Sequence, residues 1–508
     1  MSDHSTTAEL PLTSGATAVN GRRRRERPAS VPAGGAGALS DRWFGAALGL
    51  IALGAGALWL TSLSTSSLFT DEALSWREAA SGLSSLMTLV RHAELNPPGY
   101  PLFLHGWIKI APTSEWWLRL PSVLAGVAAV GAVAWVTALV AGRRAALLAA
   151  LLAAASPYYF QDAQEVRSYI FVMLAVTVAV AGALQAEEGR ANRWLWVSFA
   201  AAAVAQWVHY TAWLVLVPLG IYVLLSGRIS LRAKALWTAG VAASGLVWAP
   251  LLADQWRAGH NGWLTRYGNL AWAHFGDVFG APFSGRVATP PPRSVLGAGV
   301  VLAAALVTVV SRRAGRDRLL VALALVPAGA LLLATLSGHP ALEPRYAAVG
   351  VPFMVAMIAI AIRKLPTGTR SLAFLGVLAL AILNVVQAEL PHGQYRDTRS
   401  SLEYVASDYH GGDLVAVIGP AWTVYPIEYY SRRLLPAGVT VTFLRPGNSA
   451  HSLSYPTIKD ALAAHRTIWW VNYDEPFSAN PRPPGYRQTT KRLFPAIGWI
   501  EVTRVAPR

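Results

Sequence analysis

Residues 43–76 read WFGAALGLIALGAGALWLTSLSTSSLFTDEALSW. The first part, 43–62, is apolar and matches the ~20 residues that a helix rising 1.5 Å per residue needs to cross a bilayer core. It is too long for the apolar core of a cleaved signal and lacks a clear cleavage pattern, so it reads as a retained first span. Close after it comes Asp71-Glu72. Two adjacent carboxylates at the exit of a span are costly to place near lipid, which invites a functional reading. A membrane-spanning fold with an acidic pair at one of its faces is therefore the starting expectation.

Composition agrees. The chain has 508 residues, 54% hydrophobic and 14% charged, with mean hydropathy +0.38; soluble domains carry about 25% charged residues. Further apolar stretches fall at 119–140, 145–160, 168–186, 194–208, 212–226, 235–252, 295–311, 319–336, 346–362 and 371–388, so the expected fold is a polytopic α-helical membrane protein of about eleven spans. The connections alternate in charge. Arg143-Arg144, Arg190/Arg193, Arg228/Arg232/Lys234, Arg312/Arg313/Arg316/Arg318 and Arg363/Lys364/Arg370 all fall on the side of the tail cluster Arg22–Arg25. Basic loops stay in the cytoplasm, so the N-terminus is expected there and the C-terminus outside. This bias also explains the net charge of +16 without a nucleic-acid partner. Residues 1–40, rich in Ser, Thr, Ala, Gly and Arg, read as a disordered cytoplasmic tail. The chain has no cysteine, which excludes disulfides and thiolate metal sites.

Three segments interrupt or follow the spans. Loop 63–118 holds amphipathic pieces at Glu72–Ala80 and Leu83–His92, an Asn96-Pro97-Pro98-Gly99-Tyr100 break, and Trp107, Trp116 and Trp117; it reads as interfacial helices anchored by aromatics on the outer face. Loop 253–294 is the second outer loop. Residues 389–508 turn polar, with β-rich runs at Leu414–Ile418, Val439–Leu444, Thr467–Val471 and Trp499–Val505, and a helix at Ser400–Tyr409 ending before Gly411-Gly412. They are expected to form a small extracytoplasmic α/β domain, leaving 41–388 as the membrane domain.

The charged motifs gather at the outer ends of the spans. At Asp71-Glu72, a carboxylate suits a general base acting on a hydroxyl or amine acceptor; the plainer reading is helix capping and dipole complementarity. Gln164-Glu165-Val166-Arg167-Ser168-Tyr169 joins two spans. Glu165 and Arg167 are two apart, so on one helix they do not face each other; a polar floor for a sugar and a bidentate cation for phosphate compete with solvated turn charges. Arg345-Tyr346 follows Glu343-Pro344, with Pro suited to a first helical turn. Arg345 is either a snorkelling interfacial cation or the group that neutralises a lipid phosphate. His209-Tyr210 lies in a short outer turn, where a lone His is more often a structural hydrogen-bonding group. His92 and Asn96 stand as acceptor-side candidates, with Glu94 and His105 weaker still. No metal-ligand spacing, P-loop or GxGxxG is present; no cofactor is implied, and dependence on a divalent metal is left open.

In this order the pieces resemble the bacterial branch of the protein O-mannosyltransferase and aminoarabinose transferase families, GT-C glycosyltransferases that use polyprenyl-phosphate sugars. The matching segments are Asp71–Trp76, Asn96–Tyr100 with His105 and Trp107, Glu115–Pro121, Gly142–Ala145, Ser156–Tyr169, His209–Thr211 and Arg345-Tyr346. The resemblance implies a catalytic acid in the first outer loop, carried onto Asp71 with Glu72 as its motif neighbour. It also implies donor phosphate and sugar binding by Gln164, Glu165, Arg167, Tyr169, His209, Arg345 and Tyr346. One departure is Asn96, where the family often has His. The activity implied is transfer of mannose or another pentose or hexose from a polyprenyl-phosphate donor to a cell-envelope glycan, lipid or protein; a single displacement with one base makes inversion the simplest outcome. The competing reading is a polytopic transporter or flippase of lipid-linked sugars, which would tend to place its ionisable groups at mid-membrane.

Overall fold

The computed structural model describes residues 40–508, apart from 93–95, 190–192, 258–271, 285–290, 311–314, 340, 390–396, 446–448, 474–481 and 497. The expected tail at 1–40 lies outside the described residues except for Ser40, and so does much of loop 253–294.

The chain opens with α1 (Asp41–Leu60) and three short helices over the first long loop, α2 (Thr70–Ala80), α3 (Leu83–His92) and α4 (Gly99–Ile110). The body follows as α5 (Glu115–Ala141), α6 (Arg143–Ala154), α7 (Pro157–Asp162), α8 (Tyr169–Glu187), α9 (Arg193–Val208), α10 (Trp213–Leu225), α11 (Leu231–Leu246) and α12 (Ala249–Arg257). After these come α13 (Trp272–Phe279), α14 (Ala281–Ser284), α15 (Pro291–Val310), α16 (Gly315–Leu336), α17 (Val351–Lys364) and α18 (Thr367–Glu389). A 3-10 turn at Pro344–Gly350 runs directly into α17.

Among the described residues, eight helical stretches are long and apolar enough to cross a membrane: 41–60, 115–141, 169–187, 231–257, 292–310, 315–336, 344–364 and 367–386. Each coincides with an expected span. The other three expected spans are shorter helices: α6, α9 and α10 have 12, 16 and 13 residues. The run expected at 145–160 stops at Ala154 because Ser156 precedes Pro157, and a residue before proline disfavours the helical region; the chain restarts as α7. Helix α8 and the 344–364 stretch are the most enclosed of the eight, with 78% and 89% of their apolar windows buried. Close packing needs small residues here. A Cβ on Gly182 of α8 would stand 2.8 Å from the Trp194 carbonyl oxygen and the Ser198 nitrogen of α9.

The two ends of the bundle differ in chemistry. One end gathers the N-termini of α5 and α8 and the 344–350 turn. At the other end Arg316 donates to Glu187 and Glu188 and to the Leu139 carbonyl, Lys364 pairs with Asp317 at 2.8 Å, and Arg143 pairs with Asp41. These cations belong to the basic connections that the sequence sets on one side.

The C-terminal segment is a five-stranded sheet in the order β2-β1-β3-β5-β4, with β1 (Leu414–Ile418), β2 (Thr440–Leu444), β3 (Ile468–Tyr473), β4 (Tyr486–Ala496) and β5 (Gly498–Pro507). Strands β2, β1 and β3 run parallel, and β5 and β4 add antiparallel. Its helices are α19 (Thr398–Ser407), α20 (Val424–Leu434), α21 (Ser449–Leu453) and α22 (Pro456–Ala463). Val415, Val417, Trp469 and Val471 pack with α19 and α20 on one face, and Ala416, Ile418 and Trp470 pack with α22 on the other. This alternation is what a strand's two-residue side-chain period produces. Strand β4, beginning Tyr-Arg-Gln-Thr-Thr-Lys-Arg, was not expected: its charged residues and Pro495 are the composition of an edge strand, which hides the β signal. Helix α19 also ends earlier than expected, at Ser407 rather than Tyr409.

Candidate active site

The site is assembled around the N-terminus of α2. Glu72, in the first turn of that helix, reaches back so that its Oε2 accepts from the Phe69 amide at 2.9 Å, half of a capping box. The same carboxylate receives Arg119 of α5 in a fork: Nε to Oε1 at 2.9 Å and Nη2 to Oε2 at 2.8 Å. The Val166 amide, from the turn between α7 and α8, adds a fourth bond at 3.0 Å. Glu72 is 0% exposed and the Arg119 side chain 3%. Both oxygens of Glu72 are thus committed to internal donors, and no acceptor can reach it. So placed, Glu72 joins three segments, the start of α2, α5 and the turn before α8.

Asp71, one residue earlier, points elsewhere. Its Oδ2 accepts from Arg345 Nη1 at 3.0 Å, and the two side chains are 26% and 24% exposed. Arg345 also donates from Nε to Glu343 at 2.9 Å. Arg167 approaches from the other side, donating to the Asp71 carbonyl at 3.3 Å and to the Ser75 hydroxyl at 3.2 Å. Its guanidinium carbon lies 5.9 Å from the centre of the Tyr169 ring. Tyr169 packs on His209 with ring centres 5.2 Å apart, and His209 on Tyr346 at 6.4 Å. The groups therefore close a circuit: Asp71, Arg345, Tyr346, His209, Tyr169, Arg167 and back to Asp71. Four sequence segments as far apart as 71 and 346 meet in it.

The remaining candidates have more structural placements. His209 is 2% exposed, and its Nδ1 accepts from the Thr211 amide at 3.2 Å, so it shapes its own turn. Gln164 accepts from Ser62, at the end of the first span, at 2.8 Å. Glu165 is buried, and its main-chain carbonyl accepts from Ser122 at 2.6 Å. His92 is exposed at the end of α3. The Asn96 carbonyl accepts from Gln255 of α12, whose Oε1 in turn accepts from Tyr210, so the proline turn is tied to the His209-Tyr210 turn. Glu94 lies outside the described residues, and His105 bonds the Ala79 carbonyl at 2.7 Å. No group of three or more His, Asp or Glu able to hold a metal ion occurs among the described residues.

Arg119 has no site role in the sequence reading, and Glu343 stands there only as part of the charged run Glu343-Pro344-Arg345-Tyr346. Arg119 did carry a signal, an arginine between leucines at the start of an apolar helix, which is affordable only with a buried anion.

The C-terminal domain adjoins this end of the bundle. Tyr430 of α20 donates to Glu115, and burial holds its phenol far above its ordinary pKa, so it remains a proton donor. Arg399 pairs with the other Glu115 oxygen at 2.7 Å, and Arg77 of α2 pairs with Glu428 at 3.0 Å.

Among solved structures, the chain is similar to an oligosaccharyltransferase from Archaeoglobus fulgidus tethered with an acceptor peptide containing the NVT sequon, at TM-score 0.52 and 14% identity, over 86% of this chain and 70% of that one. The archaeal oligosaccharyltransferase AglB from Archaeoglobus fulgidus, in complex with an inhibitory peptide and a dolichol-phosphate, gives 0.51 and 14% over 85% and 69%. ArnT from Cupriavidus metallidurans bound to undecaprenyl phosphate aligns over 91% and 98% at 14% identity with TM-score 0.41. The fold is similar to that of these archaeal membrane oligosaccharyltransferases. Residues 95–253 match the family described as dolichyl-phosphate-mannose-protein mannosyltransferase. That stretch contains Gln164 to Tyr169 and His209 and stops short of Asp71 and Arg345. No curated protein sequence matches the chain.

Proposed function

We propose that the protein transfers a sugar from a polyprenyl-phosphate donor to an extracytoplasmic acceptor, a hydroxyl or amine on a glycan, lipid or protein, with Asp71 as general base. The observation that carries this reading is the Asp71–Arg345 contact, made between residues 274 positions apart. It sets an accessible carboxylate against a guanidinium at the start of a membrane helix, the depth at which a lipid-linked phosphate lies.

Before substrate arrives, Arg345 pairs with the Asp71 carboxylate. A donor phosphate competes for the same guanidinium, whose fork matches two phosphate oxygens. That exchange puts positive charge on the leaving group and releases the carboxylate to face the acceptor. The acceptor oxygen or nitrogen then attacks the anomeric carbon as its proton passes to Asp71, and the carbon–oxygen bond breaks with its electron pair leaving on the phosphate. Fixed cations at that point stabilise the charge that develops. One displacement inverts the anomeric configuration. Tyr169 and His209, both 2% exposed, pack beside the partly exposed Tyr346, and Arg167 is the second cation.

Topology supports the donor class. With the basic connections in the cytoplasm, the site and the 389–508 domain face outward. Nucleotide sugars do not reach that face, whereas a lipid-phosphate sugar does. The AglB structure from Archaeoglobus fulgidus holds a dolichol-phosphate, the lipid phosphate without a sugar.

The test is incubation of the purified protein with a radiolabelled polyprenyl-phosphate sugar and candidate acceptors. Transfer of label to an acceptor, lost in Asp71→Asn, supports the reading. Movement of intact label across a liposome membrane without cleavage would replace it by the transporter reading.

A further inference from the structure

We infer that the C-terminal domain is a positioning module for the base: Arg399 and Tyr430 set the backbone that leads into α2 and so fix where Asp71 stands. The inference rests on Asp71 being the base.

The segment between α1 and α2 is held in an unusual way. Five consecutive carbonyls, Leu63 to Ser67, all accept from two guanidiniums. Arg119 takes Leu63 at 2.7 Å, Ser66 at 3.0 Å and Ser67 at 3.2 Å. Arg399 takes the two between them, Ser64 at 2.9 Å and Thr65 at 3.3 Å. The next two amides are also held by side chains: Leu68 donates to the Tyr430 hydroxyl at 2.7 Å and Phe69 to Glu72 at 2.9 Å. The Ser67 hydroxyl donates to Asp397 at 3.1 Å and accepts from the Arg399 amide at 3.1 Å. Glu115 joins the two halves, receiving Arg399 on one oxygen and Tyr430 on the other.

The strip is therefore gripped from two sides. Arg119 and Glu72 hold it from the membrane domain, and Arg399, Asp397 and Tyr430 from a domain 330 or more residues along the chain. It carries little regular backbone pairing to define its path. Side-chain forks do that instead, because one guanidinium has five donors in rigid geometry. The residue after the strip is Thr70, and Asp71 follows. A shift of the strip moves the Asp71 carboxylate against Arg345 and the acceptor, and a misplacement of 1 Å costs on the order of 10²-fold in rate.

The test uses the full-length protein, its native lack of cysteine, and two variants outside the reacting groups, Arg399→Ala and Tyr430→Phe. Each is expected to lower kcat by roughly 10- to 100-fold with the donor KM little changed. Neither should lower the residual rate of Asp71→Asn further, since both act through that carboxylate. A spin label on Ser64→Cys, whose side chain is exposed, should become more mobile in Arg399→Ala. Wild-type kcat in both variants overturns the inference even if the label loosens. So does an undiminished loss in the Asp71→Asn background, which marks general damage. Wild-type turnover of Asp71→Asn itself instead sinks the assignment of the base, whatever the label reports.

Discussion

Replacing Asp71 and Glu72 one at a time by their amides separates a chemical role from an architectural one at adjacent positions. Glu72→Gln keeps the volume but turns one acceptor oxygen into an NH2. Whichever oxygen is lost, the new donor faces an existing pair, Arg119 Nε with the Val166 amide or Arg119 Nη2 with the Phe69 amide. The Arg119 charge, 3% exposed, is left without its anion. Breaking a buried ion pair from one side costs about 3–5 kcal/mol, between roughly 10²- and 10⁴-fold in the folding equilibrium. Asp71→Asn disturbs a pair that is a quarter exposed, and Arg345 retains Glu343 at 2.9 Å. Its stability cost should stay below about 1 kcal/mol, while loss of a general base removes ~10²–10⁴ of rate. Tryptophan-fluorescence melts in detergent at one fixed scan rate, run beside transfer assays on the same preparations, measure both quantities. The expected pattern is a clearly lowered midpoint for Glu72→Gln and a near-native midpoint with little turnover for Asp71→Asn. Equal midpoints for the two variants, or a native midpoint for Glu72→Gln, would refute the reasoning about burial.

Arg345→Lys should lose activity and Arg345→Ala more, both with weakened binding of polyprenyl phosphate, because an ammonium cannot span two phosphate oxygens. If Arg167→Ala abolishes that binding and Arg345→Ala spares it, the two cations exchange roles. Gly99→Ala should lower the unfolding midpoint by the ~1–3 kcal/mol typical of overpacking, since its Cβ would stand 2.3 Å from the Trp207 carbonyl oxygen and force α4 away from α9. A cysteine at the exposed Glu403 of α19 should react with an impermeant thiol reagent in intact cells stripped of any outer barrier; reaction only after permeabilisation would reverse the proposed topology.

The membrane class, eight helices long and apolar enough to span, the clustering of basic connections at one end and four of the five strands are legible in the residue string alone. These are properties of runs and periods: about twenty apolar residues, alternating loop charge and a two-residue strand repeat are all local. It also marked four segments with site character, Asp71-Glu72, Gln164–Tyr169, His209-Tyr210 and Arg345-Tyr346, because charge at a span end is visible in one dimension. The sequence could not separate Asp71 from Glu72. Neighbours on a helix point about 100° apart, and only the packing of α5 and the 163–168 turn decides which of the two is buried against Arg119 and which meets Arg345. Nor could it show that the C-terminal domain reaches the site, since Arg399 and Tyr430 meet the 63–69 strip only through contacts more than 330 residues apart. Strand β4 escaped for a third reason: an edge strand is paired on one side only and solvated on the other, so its charges mask the period that marks the inner strands.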